Sequence, residues 1–136
     1  YLKNKIKNRF FLTNCDTLIN TDYNKLLNFH KKNNNDITIV VAKKTFTIPY
    51  GVCDIKKTKF SLLEKPKLKF RVNVGLYLIE SKILKIIKKK KYLDFNSLLY
   101  EVLKKNYKVD YFEIRDKDWI DVGQMDNYKS FINKEI

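Results

Sequence analysis

Five consecutive β-branched residues, Ile37-Thr38-Ile39-Val40-Val41, constrain this chain more than any other stretch. Side chains branched at Cβ are stiff in a helix and pack well on a pleated surface, and an uncharged run of this kind suits a strand covered on both faces. Upstream, Arg9-Phe10-Phe11-Leu12-Thr13 is a second short apolar run, read as another buried strand. Between the two, Thr21 or Asp22 can cap a helix that carries Tyr23, Leu26, Leu27 and His30 at helical spacing, and Asn33-Asn34-Asn35-Asp36 stops it. Strand, helix and strand form a β-α-β unit, for which a parallel pair with a right-handed crossover is expected. The expected fold class is therefore α/β.

Further along, Tyr50 to Ile55 and Phe60 to Glu64 read as two strands of a hairpin-like excursion around the polar turn Lys56 to Lys59. Val72 to Ile79 reads as a strand, Glu80 to Lys88 as a short helix, and Phe95 to Asn106 as a helix carrying Leu98, Leu99, Val102 and Leu103. Val109 to Ile114 gives a last strand that feeds Trp119, and Met125 to Lys134 a closing helix. No repeat, linker or shift of composition divides the chain, so residues 1–136 are expected to form a single unit with an antiparallel excursion.

Charge points first toward polyanions. Lys and Arg number 29 against 15 Asp and Glu, a formal net charge of +14, and such a field attracts nucleic acid or anionic membranes. Yet Arg9, Arg71 and Arg115 are the only arginines, and bidentate recognition of phosphates and bases favours Arg over Lys. The lysine excess therefore reads as a solvated surface, and no nucleic-acid partner is expected. Tyr100 to Phe112 mixes aromatics with lysines, but its apolar residues fall at helix and strand spacing and are assigned to the core. Cys15 and Cys53 are too few and too far apart for a disulfide framework or a zinc site, which suits a reducing, cytoplasmic setting. No apolar stretch approaches the roughly 20 residues of a membrane span, so no membrane association is expected. His30, the only histidine, has no carboxylate near it in sequence and reads as a boundary or surface residue.

A few residues stand out chemically. Asp16 follows the first strand, at the sheet edge where α/β proteins place ligands; it suits either a hard-cation ligand or a turn cap. Asp121 interrupts the apolar segment Trp119-Ile120-Asp121-Val122, where it is either a carboxylate needing a cation or donors, or an exposed position on an alternating edge strand. Lys65 precedes Pro66, which biases it toward an extended backbone and would aim its ammonium; otherwise it is one more surface lysine. Gly51 and Gly75 are two of only three glycines, suited to a close ligand approach or to a β-bulge.

Taken in order, Asn14-Cys15-Asp16, Tyr50-Gly51, Glu64-Lys65-Pro66, Asn73-Val74-Gly75 and Trp119-Ile120-Asp121-Val122-Gly123 resemble the motifs of the sugar-phosphate nucleotidylyltransferases. The likeness runs from about Phe10 to Phe131. It implies a nucleotide-diphospho-sugar transferase-like mixed sheet, and 1–136 as the C-terminal portion of that domain, without its first strand and Gly-rich loop. By the same resemblance, Asp16 and Asp121 hold Mg²⁺, Lys65 contacts the sugar phosphate, and Tyr50, Gly51, Glu64, Asn73 and Gly75 line the sugar pocket. Cys15 stands where the family pattern has Gly. The implied reaction joins a nucleoside triphosphate to a sugar 1-phosphate and releases pyrophosphate. The Ile48 to Val52 segment, Phe95-Asn96 and the Trp119 motif look closest to the mannose-1-phosphate guanylyltransferase-like branch, whose products include surface-glycan precursors, so GTP is the favoured donor. With no clustered glycines to cradle a triphosphate, the 136 residues are expected to be inactive alone. A non-catalytic basic binding module is the alternative, and self-association into a homo-oligomer is left open.

Overall fold

The structure is a computed structural model that describes residues 5–56, 59–87 and 92–123. Its centre is a four-stranded sheet formed by β1 (Phe10–Thr13), β6 (Lys67–Ile79), β3 (Ile37–Thr47) and β7 (Val109–Ile114), in that spatial order. β3 and β7 are parallel, whereas β6 is antiparallel to both β1 and β3, so the sheet is mixed. Two small antiparallel pairs lie outside it: β2 (Thr17–Ile19) with β8 (Trp119–Asp121), and β4 (Val52–Lys56) with β5 (Lys59–Leu63).

The β-branched run is buried on both faces, as its composition demands. Val40 and Ala42 join Val74, Leu76, Leu78 and Ile114 beneath Leu26 of helix α1 (Tyr23–Lys32). On the opposite face, Ile37, Tyr77 and Ile79 pack with Ile83 and with Leu98 and Val102 of helix α2 (Phe95–Lys104). Alternate residues of one strand thus serve two cores. Asp22 caps α1 by accepting from the Asn24 and Lys25 amides at 3.0 Å, and Asp94 caps α2 by accepting from the Ser97 amide at 2.8 Å.

Several expectations need correction. β1 is an edge strand, half-exposed rather than buried, with Phe11 and Leu12 42% and 41% accessible. It does run in the same sense as β3, but β6 lies between them, so the β-α-β strands are not hydrogen-bonded neighbours. The reason is the longer apolar register of β6, whose Val74 to Ile79 fills both cores and outcompetes β1 for the central place. Glu80 to Lys88 supplies a tight 3₁₀ turn, Ser81–Lys85, and no side chain caps its start. β2 escaped the sequence reading because three residues carry no periodicity. In the Tyr100 to Phe112 segment Val102 is core, but Tyr100, Leu103 and Tyr111 are exposed. The closing helix Met125 to Lys134 lies outside the described residues.

His30 is the largest correction. It is 1% exposed, with Nδ1 2.8 Å from Thr38 Oγ1 and Nε2 3.2 Å from Glu80 Oε1. The partner carboxylate comes from the end of β6, fifty residues away, which no local spacing could reveal. The neutral Nε2–H tautomer suits this setting, donating to Glu80 and accepting the Thr38 hydroxyl, while Asn35 Nδ2 donates to Thr38 Oγ1 at 3.1 Å. Arg9 Nε pairs with the same Glu80 oxygen at 3.1 Å.

Burial pushes the imidazole below its ordinary value of 6.5, against the opposing pull of Glu80. The unfolded chain therefore takes up a proton that the folded chain resists. The His30 contribution is fully present above pH 6.5 and is lost as pH falls through the folded value. Urea unfolding midpoints should accordingly hold between pH 7 and 8 and decline below about 6.5, and His30→Gln should flatten that part of the decline.

Candidate functional site

At the carboxyl end of β1 the chain turns sharply into β2, and two tethers fix the turn. The Asn14 amide donates to Gly75 O at 2.9 Å, and the Val122 amide donates to Asp16 O at 2.9 Å. β2 then pairs with β8 in the register Thr17 to Asp121, Leu18 to Ile120 and Ile19 to Trp119. Ile19 and Trp119 pack against the α1-side core, which anchors the small sheet. A second clamp sits at the entrance to β8. Arg115 donates from Nε and Nη2 to the two carboxylate oxygens of Asp118 at 2.6 and 2.9 Å, a fork that holds the Asp118 carboxyl below the usual range. The Asn20 amide donates to Asp118 O at 2.8 Å, joining this turn to the end of β2.

The result is that Asp16 and Asp121, 105 positions apart, converge. Both face the bare α-carbon of Gly123: a Cβ built there would lie 3.0 Å from Asp16 Oδ2 and 3.2 Å from Asp121 Oδ1. The Gly123 amide donates to Asp121 Oδ1 at 3.1 Å. Like charges gathered in this way repel unless a cation or donors intervene.

Asn73 and Gly75 adjoin this group through β6. Pairing between β3 and β6 skips from Ile39–Tyr77 to Val41–Asn73, a bulge centred on Gly75 at φ +80°. The Asn14 side chain occupies the space a Gly75 side chain would need, its Nδ2 and Cγ only 2.6 and 2.7 Å from where a Cβ would lie. Asn73 Oδ1 accepts from the Gly75 amide at 3.0 Å, and its Nδ2 donates to Tyr77 Oη at 2.8 Å. Tyr77 is a core residue whose ring stacks on Phe95 at 3.8 Å.

The other candidates gather elsewhere. Beyond Ala42 and Val72, β3 and β6 continue as a two-stranded arm, Lys43 opposite Arg71 through Thr47 opposite Lys67, with Phe46 and Phe70 in ring contact at 6.0 Å. At its end the Ile48 amide donates to Pro66 O at 3.1 Å and the Lys65 amide donates to Tyr50 O at 3.2 Å. These bonds bring Tyr50, Gly51, Glu64 and Lys65 together, and a Cβ on Gly51 would lie 3.0 Å from Glu64 Oε2. Tyr50 is 73% exposed. Lys65 is not extended, as its place before proline implied; it takes φ +45°, because the turn must reverse the chain to form both bonds. The hairpin group thus lies at the far end of the β3–β6 arm, whereas Asp16 and Asp121 belong to the separate β2–β8 pair.

Two contributors were missed in sequence. Gly123 was visible only as the end of a motif, although its place two residues after Asp121 was the available signal. Lys44, whose Nζ lies 5.1 Å from the centre of the Trp119 ring, had no signal among so many lysines.

The nucleotidyl transferase family model matches residues 2–135, and the chain belongs to that family. Among curated proteins it is similar to mannose-1-phosphate guanyltransferase of Gibberella zeae, 31% identical over 128 residues, which cover 89% of this chain and 34% of that protein. The Saccharomyces cerevisiae mannose-1-phosphate guanyltransferase is 28% identical over 127 residues, covering 89% and 35%. The chain thus spans about a third of the length of these relatives. Among solved structures, HddC from Yersinia pseudotuberculosis superposes with a TM-score of 0.68 at 23% identity, over 99% of this chain and 59% of that one. A putative glucose-1-phosphate thymidylyltransferase from Bacillus anthracis gives 0.64 at 18% identity, over 95% and 55%. These likenesses establish the fold. No helix among the described residues is long and apolar enough to cross a membrane.

Proposed function

We propose that the chain forms the metal and sugar-phosphate side of a sugar-1-phosphate nucleotidylyltransferase, with GTP as the favoured donor and a cytoplasmic setting. The single observation that carries the reading is the convergence of Asp16 and Asp121 on Gly123. The pair fits Mg²⁺ in particular. Among the described residues no group of three or more His, Cys, Asp or Glu offers a closed cage, and Mg²⁺ characteristically takes one or two carboxylates and completes its shell with water and phosphate oxygens. When bound, the ion neutralises charge that develops on the phosphates during transfer.

The chain's own residues then have defined tasks. Asp16 and Asp121 would hold through their carboxylates the cation that supplies charge stabilisation to the bound triphosphate. Lys65 presents a point charge to the phosphate of the sugar 1-phosphate, and Glu64 accepts from sugar hydroxyls, with Tyr50 and Gly51 beside it. Asn73 and Gly75 border the pocket from β6. A phosphate oxygen of the sugar 1-phosphate attacks the α-phosphorus, the bond to the β-phosphate oxygen breaks, and pyrophosphate leaves with its electron pair. No side-chain nucleophile is needed, so positioning and charge stabilisation carry the rate. The glycines Gly51, Gly75 and Gly123 are scattered, and the isolated 136 residues are proposed to be inactive by themselves.

The test uses the intact parent enzyme with mannose 1-phosphate and GTP labelled at the α-phosphorus. Label should appear in a nucleotide-sugar. Label recovered only in GMP or GDP would refute the reading.

A further inference from the structure

Gly123 is exposed and ends the Trp119 motif, and no positive φ demands a glycine there. Its bareness nevertheless has a structural consequence: the space a methyl group would fill is where two carboxylates arrive from different strands. A Cβ at 3.0 Å from Asp16 Oδ2 and 3.2 Å from Asp121 Oδ1 is closer than carbon and oxygen ordinarily sit, so one or both carboxylates would have to retreat. Asp121 Oδ1 accepts from the Gly123 amide itself and cannot retreat without giving up that bond, whereas Asp16 is held only at its main chain, by the Val122 amide on its carbonyl, so its carboxylate yields by rotation about the side-chain bonds.

We propose that Gly123 is a positioning residue for the divalent cation, setting the approach of Asp16 and Asp121 through its missing side chain and aiming Asp121 through its amide. The inference rests on the reading of Asp16 and Asp121 as a cation-holding pair. Adding one methyl turns the oxygens away from a shared centre without altering charge. Displaced supporting groups at metal sites typically cost 10–100-fold in affinity, so Gly123→Ala is expected to weaken binding about tenfold. The exposed position and ordinary φ leave the fold intact.

The experiment titrates the 136-residue chain with Mn²⁺ alone, following the free ion by electron paramagnetic resonance, alongside thermal melts. Gly123→Ala should bind about tenfold more weakly at an unchanged melting temperature, and Asp121→Asn should lose the site. Gly123→Ala binding as tightly as the unmodified chain, while Asp121→Asn does not, would overturn the role of Gly123 and leave the carboxylate pair standing. A Gly123→Ala chain that melts more than roughly 10 °C lower would also overturn it, because a shift of that size means the residue serves the fold. An unmodified chain that takes up no Mn²⁺, or an Asp121→Asn chain that binds equally well, would contradict the pair itself.

Discussion

Asp121→Asn in the intact enzyme is expected to turn over about 10³-fold more slowly, or worse, while melting close to the parent. Asparagine has nearly the same shape as aspartate and keeps an oxygen to accept the Gly123 amide, now at 3.1 Å from Asp121 Oδ1. The β2–β8 register therefore survives, and what disappears is one negative charge beside Asp16. Charge stabilisation by a bound metal contributes several kcal/mol to phosphoryl-transfer barriers, and each ~1.4 kcal/mol is a factor of ten in rate. Steady-state pyrophosphate release and a thermal melt separate the two effects. An Asp121→Asn enzyme with full turnover would mean the carboxylate has no part in the chemistry.

Gly75→Ala is expected to lose about 2 kcal/mol of stability or more, part of it recoverable by a second substitution. The φ of +80° strains any residue with a Cβ, and the added carbon would lie 2.6 Å from Asn14 Nδ2. Neither cost can be escaped by a local shift. The bulge is pinned by the Asn73 side chain below and by Asn14, whose amide bonds to Gly75 O, above. Asn14→Gly in the Gly75→Ala background removes the collision but not the backbone strain, so the double variant should regain part of the loss. Urea unfolding of the four chains in this cycle measures the coupling directly. Additive losses would show that Asn14 does not occupy the Gly75 gap.

Much of this fold was legible because local pattern and global demand agree. The run at Ile37 to Val41 emerged because burial on both faces permits few alternatives to an apolar strand, the helix after Asp22 because its cap is local, and the strand Val109–Ile114 because its short apolar run already reads as extended. The arm formed by Lys43 to Thr47 and Lys67 to Arg71 was not legible. Its apolar residues, Phe46, Leu68 and Phe70, are exposed and alternate with lysines, so they declare no core face, and their pairing is fixed by the turn between the strands. The insertion of β6 between β1 and β3 was equally hidden, because sequence order carries no information on which of two apolar strands takes the middle. At the site, the motifs supplied the identities of Asp16 and Asp121, but their meeting depends on three-residue strands too short to announce themselves. His30 was misread for a related reason, its partner Glu80 being near only in space.

Asp16 and Asp121 are proposed to form one cation site. Crystals of the intact enzyme grown with Mn²⁺ and a nucleotide-sugar, measured at the manganese absorption edge, test it most directly. An anomalous peak within coordination distance of both carboxylates, roughly 2.0–2.3 Å from an oxygen of each, is the predicted result. Manganese bound with full occupancy at a place that touches neither Asp16 nor Asp121 would contradict it.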